Sequence, residues 1–326
     1  MGDPAGCGPQ ITVALWKQRK GSDGAPFFVI GDPALYEADI AVATIKDPEE
    51  AHEAFDRALP VLPISCPEVS ALRTGMPSET YAPAILESIE RATALSMNEV
   101  ASAVVTNPIS KAVLYRAGFE FPGHTEYIAD LCQPMQDAPI HPVMMLVGGG
   151  LRVALVTIHV PLMQVGQLLS AELLTDVATI TQTALQRDFG ISHPRLAFTG
   201  LNPHAGEDGS IGTEERDLIN PVAMTLRTRG IDISDARPGD TVFHEALSGD
   251  YDAVIAMTHD QGLIPVKTLD MWGGVNTTLG LPIVRTSPDH GTAYEAAAAG
   301  TCRPDSLLAA LDLAETLANN RASARV

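Results

Sequence analysis

The stretch Leu151-Arg-Val-Ala-Leu-Val-Thr-Ile-His159 is a short apolar, β-branched run that ends on a histidine and turns, through Val-Pro, into a polar loop. Two later stretches repeat the pattern. Arg195-Leu-Ala-Phe-Thr-Gly-Leu-Asn-Pro-His204 leads into Ala-Gly-Glu, and Asp252-Ala-Val-Ile-Ala-Met-Thr-His259 leads into Asp-Gln-Gly. Short apolar runs without polar alternation suit strands buried on both faces of a parallel sheet. In open sheets of this kind ligands bind beyond the carboxyl ends of the strands, which is where His159, His204 and His259 fall. Neutral imidazole is the commonest protein ligand for a catalytic divalent metal, and three of them leave positions open for substrate. Taken singly each histidine reads as a loop cap; three in one context point to a shared metal site.

Comparable runs occur at 27–30, 40–45, 101–106, 143–147, 196–199, 253–257 and 283–285, with helical patterns at 84–96, 171–187, 213–228 and 305–319. Ser170 is placed to cap the helix at 171–187, with Glu172 in its first turn and Gly190 beyond its end. Strands and helices alternate along the whole chain, so the expected class is α/β. At 326 residues the chain exceeds the size at which one core stops growing, and two lobes are expected.

Hydrophobic residues make up 45% and charged residues 19%, an ordinary balance for a globular enzyme. No stretch approaches a membrane span and no charged-then-apolar leader precedes the first motif, so a cytoplasmic location is expected. Cys7, Cys66, Cys132 and Cys302 are far apart and form no C-x-x-C pair, which fits reduced thiols. A formal net charge of −19 argues against nucleic acid or an anionic membrane as partner. An anionic substrate then needs local positive charge. Lys111, Lys267 and Arg285 are the basic residues in motif-like loops.

Neither G-x-G-x-x-G nor G-x-x-x-x-G-K-[ST] is present. The opening Gly2-Asp-Pro-Ala-Gly6-Cys-Gly8-Pro9 is either a turn presenting N–H groups to an anion or a tight connection into a helix. Late in the chain, Asp289-His290-Gly291-Thr292-Ala293 precedes a small-residue run to Gly300. It resembles the His-Gly-[Ser/Thr]-Ala loop with which isocitrate and isopropylmalate dehydrogenases hold the adenosine part of NAD(P).

Eight segments carry a wider resemblance: Gly2–Gly6, Thr106–Lys111, Pro122-Gly-His-Thr-Glu126, Met144–Leu146, Leu201-Asn-Pro-His-Ala-Gly-Glu207, His259-Asp-Gln-Gly262, Gly274-Val-Asn-Thr-Thr-Leu-Gly-Leu-Pro282 and Arg285–Ala293. In order and content they are similar to the 4-hydroxythreonine-4-phosphate dehydrogenase family of pyridoxal phosphate biosynthesis. The resemblance implies a two-lobed isocitrate/isopropylmalate dehydrogenase-like fold. Residues 1–110 with 270–326 would form a discontinuous cofactor-side lobe, and 111–269 the metal, substrate and dimerisation lobe. It assigns the metal to His159, His204 and His259, substrate contacts to His124, Thr125, Lys267, Asn276 and Arg285, and the nucleotide to Asp289, His290, Gly291 and Thr292. Zinc suits the ligands best, with magnesium, manganese or cobalt as alternatives; the nucleotide is NAD or NADP.

The implied enzyme is a homodimer with a shared site, the third histidine and the Lys/Asn/Arg group coming from the other chain. Its reaction is oxidation and decarboxylation of 4-phosphohydroxy-L-threonine to 3-amino-2-oxopropyl phosphate. Relatives of the same chemistry act on threonate or erythronate 4-phosphate, or on dihydrodiol dicarboxylates. A three-histidine metallohydrolase is a further reading, against which the Asp289–Ala293 loop argues. Asp260 either orients His259 or accepts a proton, with orientation favoured; Lys111 is either a proton shuttle or a helix-start residue. Three departures from the family pattern stand out: no apolar strand before Met1, Gln10 in place of Glu, and Asp208 in place of Gly.

Overall fold

The structure, a computed structural model, describes residues 1–324. Its strands in chain order are β1 (Val29–Gly31), β2 (Val42–Thr44), β3 (Leu59–Pro63), β4 (Val104–Val105), β5 (Val143–Gly148), β6 (Leu151–Leu155), β7 (Arg195–Thr199), β8 (Asp232–Arg237), β9 (Ala253–Ala256), β10 (Val275–Leu279) and β11 (Arg285–Pro288). The α-helices are α1 (Gly8–Arg19), α2 (Ala51–Ala54), α3 (Ala82–Met97), α4 (Lys111–Arg116), α5 (His124–Cys132), α6 (Leu162–Leu168), α7 (Ala171–Arg187), α8 (Asn220–Thr228), α9 (Val242–Leu247), α10 (His259–Leu269), α11 (Tyr294–Ala299) and α12 (Asp305–Ser323).

The described chain divides into two compact units, one of Met1–Ile140 with Leu281–Glu315, the other of His141–Gly280 with residues 316–324. Both divisions lie later than residues 110 and 270. Lys111, His124 and Thr125 therefore belong to the same unit as Arg285.

In the first unit β1, β3 and β2 form a parallel sheet in that order, and β4 pairs in parallel with β11. Successive residues of β3 face opposite ways: Leu59 and Val61 pack with Val13 and Trp16 of α1, while Leu62 packs with Ile85 and Ile89 of α3. The second unit is built on β5–β10. Antiparallel pairs join β10 to β5 and β5 to β6; parallel pairs then join β6 to β9, β9 to β7 and β7 to β8. Val143, Met145, Ala154, Leu196, Phe198 and Ile255 face α7 and α8. Their neighbours Met144, Leu146, Val153, Ala197 and Val254 face α9 and α10. Helices on both faces are why these strands read as unbroken apolar runs.

Eight of the strands fall on the apolar runs seen in the sequence. The other three do not advertise themselves: β3 carries two prolines, β8 reads Asp-Ile-Ser-Asp-Ala-Arg, and β10 reads Val-Asn-Thr-Thr-Leu. The helix expected at 171–187 forms with those bounds, and Ser170 Oγ accepts from Leu173 N–H at 3.1 Å. Phe198 is fully buried at the centre of the second unit. Phe198→Ala should cost about 3–5 kcal/mol and lower the thermal unfolding midpoint by roughly 10 °C, read by circular dichroism; a shift under two degrees would contradict this packing.

Candidate active site

The carboxyl ends of β6, β7, β8 and β9 lie along one edge of the second unit, because these four strands are mutually parallel. Loops carrying His159, His204 and His259 leave from that edge. The β6–β9 ladder extends past the strands: Val156 N–H donates to Ala256 O at 2.9 Å, and Thr157 Oγ1 donates to Met257 O at 2.7 Å. Two residues further along each chain, the His159 and His259 ring centroids are 5.5 Å apart, inclined at 48°. An imidazole bound at about 2.1 Å puts its centroid about 3.2 Å from the ion, so two on one tetrahedral cation lie about 5 Å apart. The pair fits a shared divalent ion.

His259 opens α10, which Thr258 caps by accepting from Gln261 N–H at 3.4 Å. Asp260 Oδ1 sits 2.8 Å from His259 Nδ1, so that Nε2 is the ring nitrogen His259 could offer to a metal. Gln261 Oε1 accepts from Thr199 Oγ1 at 2.7 Å and from Met257 N–H at 3.1 Å, and its Nε2 donates to Gly200 O at 2.8 Å. One side chain thus ties the end of β7, the end of β9 and the start of α10 together.

His204 lies apart from that pair. Among the described residues no three His, Cys, Asp or Glu side chains are close enough to share one ion. The resemblance sets His259 across a subunit boundary from the other two ligands; within one chain the His159 and His259 rings are the two that lie close. From His204 to Asp208 the backbone has φ between 44° and 81°, a left-handed turn with four non-glycine residues, and His204 is exposed on it. Each non-glycine residue there costs roughly 1–2 kcal/mol, so the turn persists only because its surroundings enforce it. Asp208, φ 52°, stands where glycine is strain-free; aspartate is among the residues that tolerate this region best.

Of the two assigned contacts in this unit, Lys267 lies on α10 and Asn276 on β10, where Asn276 Oδ1 is sealed from solvent without a hydrogen-bond partner. Asp240 was not anticipated. It follows β8 at the same edge, and a Cβ on its neighbour Gly239 would lie 2.9 Å from Gln261 Nε2. The polar sequence of β8 hid that strand end.

The first unit holds the remaining assigned residues. Arg285 on β11 is 3% exposed, and its Nη2 donates to Thr106 Oγ1 at 2.8 Å. Burial lowers its pKa to about 10, partly offset by Glu126, so it stays charged at neutral pH. His124 opens α5, and its Nε2 is sealed and without a hydrogen-bond partner. Burial first, then Arg285, the terminal amine and Lys111, push its pKa well below 6.5. It is therefore a neutral imidazole, not an imidazolium. Lys111 does begin a helix, α4, and a Cβ on Gly123 would meet its Cε at 3.1 Å and Nζ at 3.3 Å. Thr125 occupies the second position of α5.

Two glycine-rich candidates meet in this unit. Cys7 N–H donates to Thr292 O at 2.8 Å, and a Cβ on Gly6 would sit 2.8 Å from the same oxygen. Asp3 N–H donates to Pro108 O, Ala5 N–H to Asp3 Oδ1 and Gly6 N–H to Asp3 O. With these donors engaged, the opening turn is a tight connection into α1 and not an anion cradle. Gln10 Nε2 donates to Ala297 O at 2.8 Å, a bond the family's usual glutamate cannot make. In the Asp289–Thr292 loop, Asp289 N–H donates to Ser306 Oγ at 3.0 Å and His290 Nδ1 lies 2.9 Å from Gly291 O.

Fold and relatives together make this chain an α/β dehydrogenase acting on a CH–OH group. The sequence profile of the family described as pyridoxal phosphate biosynthetic protein PdxA matches residues 23–314, and the chain belongs to that family. It is 50% identical over 336 aligned residues to the 4-hydroxythreonine-4-phosphate dehydrogenase of Maricaulis maris, covering 99% of this chain and 97% of that one. It is 48% identical to the Caulobacter vibrioides enzyme of the same name, covering 98% and 96%. Among solved structures, the Klebsiella pneumoniae 4-hydroxythreonine-4-phosphate dehydrogenase superposes with a TM-score of 0.86 at 35% identity, covering 98% and 96%. A terephthalate 1,2-cis-dihydrodiol dehydrogenase from Burkholderia xenovorans gives 0.64 at 26%, covering 97% and 96%. No helix among the described residues is long and apolar enough to cross a membrane.

Because His124 stays neutral in the folded chain, the unfolded chain binds the extra proton as pH falls through 6.5, and His124 then destabilises the fold. A bound dianion raises its pKa and reverses that sign. Sulfate affinity, measured by calorimetry, should therefore rise several-fold from pH 8 to pH 6, and His124→Asn should flatten the rise. A pH-independent affinity in the unsubstituted protein would contradict this placement.

Proposed function

We propose that this chain oxidises the secondary alcohol of 4-phosphohydroxy-L-threonine with NAD or NADP and releases carbon dioxide from the resulting β-keto acid, giving 3-amino-2-oxopropyl phosphate. The observation that most supports this substrate is the meeting of buried Arg285 and half-buried Lys111 with the neutral imidazole of His124, whose unpartnered Nε2 suits a phosphate oxygen. A dihydrodiol dicarboxylate is the weaker reading, since the relative named for one is the more distant at 26% identity. Arg285 offers a planar fork to the phosphate and Lys111 a point charge. Thr125 adds a hydroxyl, and the N-terminus of α5 adds its backbone donors.

His159, His259 and His204 would hold a divalent cation, zinc fitting an imidazole set best, and such a cation would supply Lewis-acid stabilisation of negative charge on the substrate oxygen. Asp260 keeps His259 in the ligating tautomer. Lys267 and Asn276 contact substrate, and Asp289, His290, Gly291 and Thr292 hold the adenosine end of the nucleotide.

The third ligand comes from a second copy of the chain. His204 is exposed on its turn, and large apolar residues that follow the three histidines in sequence are exposed as well: Leu162 at 74%, Met163 at 88%, Ile211 at 48% and Ile264 at 64%. In α6, which follows His159, only Val165 is buried. An apolar surface of this kind in a chain with a net charge of −19 suits a homodimer interface.

Absorbance at 340 nm should grow with substrate, nucleotide and metal, and stop on adding a chelator. Arg285→Lys should raise KM about tenfold while altering kcat less, because charge survives and the fork is lost. Equal turnover of the dephosphorylated substrate would exclude the phosphate reading. Mixed dimers of His159→Ala and His204→Ala subunits should regain about one metal site of two, although each parent binds none; no recovery would place all three ligands in one chain.

A further inference from the structure

The loop that carries His204 is folded around a buried carboxylate. Glu215 is only 2% exposed, and no Lys, Arg or His forms an ion pair with it among the described residues. Its oxygens are met by neutral donors: Oε1 accepts from Asn202 N–H at 2.7 Å, and Oε2 accepts from Asn202 Nδ2 at 3.0 Å. A Cβ on Gly206 would lie 2.6 Å from Oε2, and one on Gly200 would lie 3.1 Å from Oε1. The backbone thus touches this carboxylate before, within and after the approach to His204. Glu214 grips Asn202 Nδ2 from the other side at 2.7 Å, and Gly209 is held against Arg216 Nη1.

Burying a carboxylate without a cation is costly unless hydrogen bonds replace its water. Such a group is kept where it specifies a conformation that the backbone would not choose. That conformation is the left-handed turn from His204 to Asp208. Glu215 is itself anchored, for it opens a single π-helical turn, Glu215–Ile219, whose last residue is fully buried in the core. Such turns recur at functional sites.

We propose that Glu215, acting through Asn202, is a positioning residue that locks the left-handed turn and so presents His204 as a ligand. The proposal rests on reading His204 as part of the metal site. Outer partners of this sort change metal affinity by about 10–100-fold when removed.

Two variants test it: Glu215→Gln, which sets an amide N–H against Asn202 Nδ2, and Asn202→Ala, which leaves the carboxylate and removes one donor. Cobalt(II) affinity by calorimetry and the cobalt absorption spectrum are measured well below the unfolding temperature. Hydrogen exchange at 204–209 is measured in the metal-free protein, with His204→Ala as control. The expected result is at least tenfold weaker cobalt binding, an altered spectrum and faster exchange in both variants. Unchanged exchange and unchanged affinity, with His204→Ala defective, would overturn the role of Glu215 while leaving the ligand reading intact. If His204→Ala itself binds cobalt normally, the ligand reading fails and this role fails with it. Should Glu215→Gln not fold, Asn202→Ala decides on the same outcomes.

Discussion

The parallel ladder between β6 and β9 is the interaction on which the site depends. Leu155 and Ala256 are in register at the end of the paired region, and two further bonds, from Val156 N–H and Thr157 Oγ1, carry the pairing beyond the strands. His159 and His259 thereby inherit their separation from the sheet itself. A sheet packed on both faces yields little, since close-packed interiors resist displacement of a fraction of an ångström. Gln261 extends this rigidity to the neighbouring strand, because its amide serves β7, β9 and α10 at once. Two imidazoles are thus set before any ligand arrives, which removes part of the ordering cost of binding one.

His204 is held by different means. It lies five residues past the end of β7, where no ladder reaches, on a backbone with the opposite hand to a normal turn. Its geometry comes from a loop wrapped on one carboxylate. Local opening free energies in proteins range from near zero in loops to the global stability in core strands. The three candidate ligands therefore belong to two mechanical classes, two fixed by the sheet and one by a braced loop. An exposed ligand on a braced loop suits a site completed by docking, since the loop must keep its form before its partner is present.

Much of this was legible in the residues, and the reasons divide cleanly. Strands such as Leu151–Leu155 and Ala253–Ala256 are apolar apart from Arg152, so period and composition agreed, and the histidines beyond their ends stood out. Strand β8 failed that test because its outer position leaves Asp232, Ser234 and Asp235 at least partly exposed, and with it went the strand end that carries Asp240. The first helix, α1, was foreshadowed only by its proline near the start. The choice for the opening turn between anion cradle and connection was undecidable from sequence, for it turned on Pro108 and Thr292 accepting the N–H groups of Asp3 and Cys7. Glu215 was invisible for a similar reason: a carboxylate in a charged stretch, Thr-Glu-Glu-Arg-Asp, reads as solvated, and only the fold turns it inward.

The charge balance shows why the anion site must be local and dry. A net charge of −19 repels an anionic substrate at long range, but ions screen such fields beyond about 8 Å at physiological strength. Inside that distance the contest changes. One cation against one anion at 4 Å is worth about 4 kcal/mol at an effective dielectric near 20, against about 1 in bulk water. Arg285, nearly sealed from solvent, lies in the stronger regime, and Glu126 partly balances it when no ligand is bound. Adding a second buried positive charge on His124 would be unfavourable, so that imidazole stays neutral and supplies only a hydrogen bond until an anion arrives. The empty fold thus carries one buried charge at Arg285 beside a neutral His124, a balance that suits the proposed phosphate.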